Sequence, residues 1–167
     1  MITGSTSRWR QIFIADLTQA TFTSGSPGTW TAPSQLQDLF PDVGDAGTDG
    51  LAVAPGTHFG VITGEFGGDV IGVFQLPTTS GSGTPALVDS VQVTMPATPS
   101  GAWSQGCDPH TVTAYVSPNT GKALAVLGNG DQSFLAVLDI EGLLKAPRSG
   151  GFVNSPIPAG LVTYIAQ

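Results

Sequence analysis

Apolar residues along this chain come in short runs bounded by glycine, proline, asparagine or aspartate. Residues 111–116 (TVTAYV), 123–127 (ALAVL) and 134–140 (FLAVLDI) are such runs, and the turns SPNTG and GNGD separate them. Their β-branched and aromatic residues are typical of β-strands. The connections are too short for a crossover, so the pattern predicts an antiparallel meander.

The same pattern occurs twice. Residues 64–76 match residues 128–140 at a constant offset of 64, which places Val73 on Val137. Residues 45–55 match residues 108–118 at an offset of 63. A repeat of this kind means that each copy forms one structural unit, and neighbouring units stack to bury a shared core. Part of a third copy is visible as a strand end in residues 12–17, where Asp16 matches Asp139.

The repeat sets the remaining expected elements. Three strands of the earlier copy are predicted at residues 51–54, 58–63 and 70–76. Fourth strands are predicted at residues 91–95 and 161–166, and short helical turns at residues 34–40 and 140–146. Strand register predicts that Val126, Leu135 and Val137 are buried between neighbouring units. Asp16 and Asp139 recur at strand ends, where an aspartate that caps a turn is favoured over a catalytic role.

Residues 108–142, DPHTVTAYVSPNTGKALAVLGNGDQSFLAVLDIEG, resemble the repeat of the bacterial YVTN and lactonase-like β-propellers. The likeness lies in the Asp-Pro-His start, the SPNTGK turn and the closing strand with its aspartate. It implies an all-β fold of propeller blades, each an antiparallel meander. One partial propeller domain is therefore expected over residues 1–167, with blade parts at roughly 1–44, 45–107 and 108–167.

About three blades do not close a ring, because closed propellers contain about four to eight. Two arrangements would supply the missing blades. The chain is either part of a longer propeller, or it self-associates as a homodimer that completes the ring.

Composition narrows the classes of partner. Five basic and 12 acidic residues give a formal charge of −7, and only 10% of residues are charged. Nucleic acid is therefore not expected as a partner, since no basic surface is available to neutralise phosphates. The first residues lack the basic and apolar regions of a signal peptide, and membrane insertion is not expected because no apolar run is long enough. Sparse lysine with abundant serine, threonine and glycine favours an extracytoplasmic parent protein, periplasmic or secreted.

Cysteine and histidine counts restrict the chemistry further. Cys107 is the only cysteine and the chain has two histidines. An intrachain disulfide and a four-ligand Cys/His zinc site are therefore excluded for one chain.

Candidate chemistry is predicted at the end of the repeat where each first strand begins. That segment should lie beside the loop between the second and third strands, at the mouth of the propeller channel. The expected ligand-binding residues are Asp45, Asp49, Asp108 and His110. A calcium site would draw oxygen ligands from Asp45, Asp108, Glu65, Asp69 and Asp131. Aspartate before proline or glycine is also the ordinary residue that starts a turn, so the favoured expectation is no cofactor.

His110 with Asp108 is the candidate for a catalytic pair, as a general base and its carboxylate. The expected function is a non-catalytic propeller portion that serves as a protein- or ligand-binding scaffold. Two alternatives remain open from the sequence. One is a lactonase-like or other metal-assisted hydrolase with its site at the channel mouth, and the other is a gene fragment without independent function.

Overall fold

A computed structural model describes residues 47–65, 70–78, 87–95, 111–128, 134–148, 152 and 157–166 of the chain. The described residues form eight strands and one short helix in chain order. The elements are β1 (Gly47–Val53), β2 (Phe59–Glu65), β3 (Val70–Gln75), β4 (Asp89–Thr94), β5 (Thr111–Val116), β6 (Ala123–Gly128), β7 (Phe134–Asp139), α1 (Ile140–Lys145) and β8 (Val162–Ala166).

The strands form two four-stranded antiparallel sheets, in the orders β1-β2-β3-β4 and β5-β6-β7-β8. Within each sheet, every strand pairs with its neighbours in sequence, which confirms the predicted meanders and the all-β class. Both predicted fourth strands are present as β4 and β8, and the helical turn predicted at residues 140–146 is present as α1. The strand predicted at 12–17 and the turn predicted at 34–40 lie outside the described residues.

Tight turns join the first two strands of each sheet. In both turns a glycine takes a positive φ, at 72° for Gly56 and 70° for Gly121. Other residues adopt this conformation at a cost, so a glycine is the residue that lets each turn close. Ser117 N–H donates to the Lys122 carbonyl at 2.9 Å and closes the second hairpin. Gly56 and Gly121 therefore mark the tight turns between strands.

One core lies between the two sheets. Its buried residues come from β2, β3 and β4 of the first sheet, from β6 and β7 of the second, and from α1, for example Val61, Val73, Val93, Leu127 and Leu138. Helix α1 contacts strands of both sheets. It buries Ile140, Leu143 and Leu144 in this core. Removal of this apolar surface from water is the main stabilising contribution to the packing of the two sheets.

The two sheets stack in the same orientation. Val73 and Val137 are equivalent in the repeat, yet Val73 is fully buried between the sheets and Val137 is half-buried on the face turned away from the first sheet. The neighbouring equivalents Phe74 and Leu138 show the reverse. Leu138 belongs to the core between the sheets, whereas Phe74 packs on the far side of the first sheet. The back of one unit therefore meets the front of the next, unlike a sandwich of two sheets that present the same face to each other.

The stack is narrow at one edge and wide at the other. The first strands, β1 and β5, lie against each other, while α1 occupies the space between the later strands. At the wide edge, Phe152 N–H donates to the Gln92 carbonyl at 2.9 Å and forms a bridge beside β4. The prediction that Val126, Leu135 and Val137 are buried between units is wrong for the described residues. All three are half-buried on the outward face of the second sheet, because no described sheet covers that face.

Candidate functional site

Strand register brings together the two segments that the sequence predicts to be neighbours. Gly47 of β1 pairs with Glu65 of β2, and Thr111 of β5 pairs with Gly128 of β6. The start of each first strand therefore adjoins the beginning of the loop that leads to the third strand. Since both units have the same strand order and face the same way, these starts lie at one end of the stack. We call this end the loop end.

Most of the candidate site residues lie outside the described part of the chain. Asp45, Asp69, Asp108, His110 and Asp131 are among these residues, so their predicted roles stay predictions. Glu65 is placed through its backbone, as the last residue of β2. Asp49 is described with its side chain and is exposed near the start of β1. The loop end thus carries at least one carboxylate that solvent or a ligand can reach.

Asp49 lies within a bulge of β1. The pairing shifts register between Thr48 and Leu51, so that two residues of β1 oppose one residue of β2. The Thr63 hydroxyl is fully buried at this point and accepts a hydrogen bond from Gly50 N–H at 3.0 Å. This bond satisfies a backbone group that the disrupted ladder leaves without its regular partner. The continuous register of β5 with β6 shows no such bulge, so this feature distinguishes the first unit.

The SPNTGK turn and the closing strand of the second unit meet in an ion pair. Lys122 Nζ donates to Asp139 Oδ2 at 2.5 Å, and the Asp139 side chain is 7% exposed. Asp139 also caps α1, because its Oδ1 accepts a hydrogen bond from Gly142 N–H at 2.8 Å. The hydrogen bond and charge of Asp139 raise the pKa of Lys122 above its ordinary value of 10.5. The predicted structural role of Asp139 is confirmed. Gln75 stands at the matching position of the first unit, so that unit has no carboxylate there.

A second ion pair joins the two units at the wide edge. Arg148 follows α1, and its Nη2 donates to Oδ1 of Asp89 at the start of β4, at 2.7 Å. Arg148 also donates to the Leu144 carbonyl. The Arg148 side chain is only 17% exposed, so it ties the segment after α1 to the first sheet. Sequence reasoning did not find this pair, because its partners lie 59 residues apart and in different units.

Within the described ranges, no three His, Cys, Asp or Glu side chains form a group that could hold a metal ion. In that same part of the chain, no helix is long and apolar enough to cross a membrane. Comparison with known proteins found no matching family model, no matching curated protein and no matching solved structure. The arguments about function therefore rest on the geometry of this chain.

Proposed function

We propose that the chain is a non-catalytic portion of a β-propeller that acts as a protein- or ligand-binding scaffold. The observation that carries the proposal is the stacking of two equivalent four-stranded units in the same orientation. The first strands of the two units are adjacent, and α1 separates their later strands. Such an arrangement is typical of neighbouring propeller blades. The resemblance to the YVTN and lactonase-like repeat supports the same proposal.

The charged groups of the described residues also support a scaffold. The pairs Lys122–Asp139 and Arg148–Asp89 join strands, a helix and a neighbouring unit. In the first pair, Asp139 also caps α1, and the second pair holds the segment after α1 against β4. Loops displayed on a rigid β framework are a common arrangement for recognition. The loop end, where Asp49 is exposed, is the part of the stack that we propose binds the ligand.

Site-specific photo-cross-linking tests where the binding surface lies. A photoreactive amino acid is placed at Asp49 in the loop end, and as a matched control at Thr120 in the exposed turn at the opposite end of β5. In cells that naturally produce the chain, we expect a discrete cross-linked product from position 49 and none from position 120. Equal products from both positions, or products from neither, would overturn the assignment of the loop end.

A second experiment tests whether the scaffold is catalytic. The purified chain is titrated with Ca²⁺ and with Mn²⁺ by calorimetry, and is assayed on a panel of aliphatic lactones. We expect neither saturable metal binding nor turnover. Metal-dependent turnover that disappears in His110→Ala and Asp108→Asn, but survives in the control Glu141→Gln, would replace the scaffold with a hydrolase.

A further inference from the structure

The outward face of the second sheet is apolar and incompletely covered. It consists of the alternate side chains of β5 to β8 that point away from the first sheet, and we call it the open face. Its larger members are Tyr115, Leu124, Val126, Leu135, Val137 and Ile165. Among the described residues, none of these side chains belongs to either buried core cluster. Tyr115 is 37% exposed and Ile165 is 49% exposed.

The repeat explains why this face is apolar. Val73 occupies the matching position on the first sheet, and there the core shared with the second sheet and α1 buries it completely. The open face therefore repeats the chemistry of a surface that this same chain buries against a β-sheet. An apolar sheet face of this kind also marks an interaction site, because its exposure to water is unfavourable. The expected occupant is a second apolar β-sheet.

The opposite end of the stack is not equivalent. On the far side of the first sheet, Ile62 and Phe74 are each only 1% exposed, and five partly buried apolar residues pack around them. Association of the open face with this surface of another copy would require the covered surface to be uncovered first. Such head-to-tail contacts would also continue from copy to copy, whereas a contact between two open faces closes after two copies.

We infer that two copies of this chain pack through their open faces as a twofold-symmetric dimer. Among the described residues, the charged side chains on this face are those of Asp139 and Lys122, which pair with each other at its edge. An identical face therefore matches it without the burial of an unpaired charge. The other polar groups there are the Tyr115 hydroxyl and threonines 111, 113 and 163, and all four residues are exposed. The loop end lies at the ends of the strands and stays accessible in this dimer. Equivalent faces meet in this dimer, unlike the front-to-back stacking within the chain, and the contact uses no residue of the loop end, so the inference goes beyond the binding function proposed above.

Sedimentation velocity of the purified chain, from about 1 to about 100 µM, tests this inference. We expect a reversible change from monomer to dimer with no larger species. Val137→Glu places a charge at the centre of the open face and should weaken association at least about tenfold. Ile165→Glu, at the edge of the same face, provides a second variant whose partly exposed position makes retention of the fold easier. Val88→Glu is the matched control, since Val88 is 59% exposed and belongs to the first unit.

Circular dichroism first confirms that each variant retains the parent's β-sheet spectrum. The inference is overturned if the parent stays monomeric throughout the range, or if it grows beyond the dimer with concentration. Association that Val88→Glu weakens as much as the two open-face variants do would also contradict it. Because the cross-linking test uses the loop end, failure of the dimer and failure of the binding function give different results.

Discussion

The repeat provides a direct comparison of one residue in two environments, through Val73→Ala and Val137→Ala. Each change removes two methyl-sized groups from a valine in the third strand of its sheet. At about 0.8 kcal/mol for each buried group, complete burial of Val73 corresponds to about 1.6 kcal/mol of lost transfer free energy. A residual cavity adds to this loss, so we expect Val73→Ala to cost about 2 to 3 kcal/mol. Half-buried Val137 should cost about 1 kcal/mol or less in the monomer.

Urea unfolding followed by circular dichroism measures both free energies of unfolding. The protein concentration must be low enough that sedimentation shows only monomer, because dimer formation would stabilise the folded state by a free energy that grows with the logarithm of the protein concentration. Unchanged urea dependence of the unfolding free energy would show that both variants unfold from equally compact states. Equal losses at the two positions would refute the reasoning, since they would mean that the outward face of the second sheet is as fully covered as the core.

Three further changes test individual contacts. Gly60→Ala should destabilise the first sheet by about 1 to 3 kcal/mol in thermal unfolding, because a Cβ there would lie 2.4 Å from the Phe74 ring and 2.9 Å from the Ala52 carbonyl oxygen; an unchanged melting temperature would contradict this packing. Thr63→Val should cost about 1 to 2 kcal/mol in urea unfolding, because it leaves the bulged Gly50 N–H without its acceptor, and Thr63→Ser should recover most of the loss. Because the pKa of Lys122 is raised in the folded state, its pairing with Asp139 stabilises the fold fully below pH 10.5, and this contribution disappears as pH rises through the higher folded-state pKa. The melting temperatures of the parent and of Lys122→Gln should therefore converge at high pH. A difference in melting temperature that stays constant with pH would contradict the assigned pair.

Much of the fold follows from local patterns in the sequence. Short β-branched runs between turn residues predict the strands, and the constant offset predicts two equivalent units. Asp139 illustrates why capping is also predictable, since an aspartate directly before a helical segment has few other local roles. These features depend on residues that are near one another in sequence, so no tertiary contact is needed to infer them.

The environment of each unit could not be inferred in the same way. Val73 and Val137 have the same local pattern, and only the arrangement of the sheets shows that one is buried between them and the other faces outward. The bulge at Gly50 and the pair of Arg148 with Asp89 depend on partners in other strands, which spacing does not reveal. For the site, the sequence correctly places the start of each first strand beside the loop after the second strand, as the pairing of Thr111 with Gly128 shows.

The central claim is that the two units stack in the same orientation, and methyl nuclear Overhauser effects test it most directly. With methyl-labelled alanine, isoleucine, leucine and valine, we expect contacts from Val61 to Ala125 and Leu127, and contacts from Leu143 of α1 to Val73 of the first sheet and to Leu138 of the second. Measured on the monomer at low concentration, Val126 and Val137 should show no contact with the first sheet. Contacts from Val137 to Val73 would mean that equivalent faces meet as in a sandwich, and they would contradict the stacked arrangement.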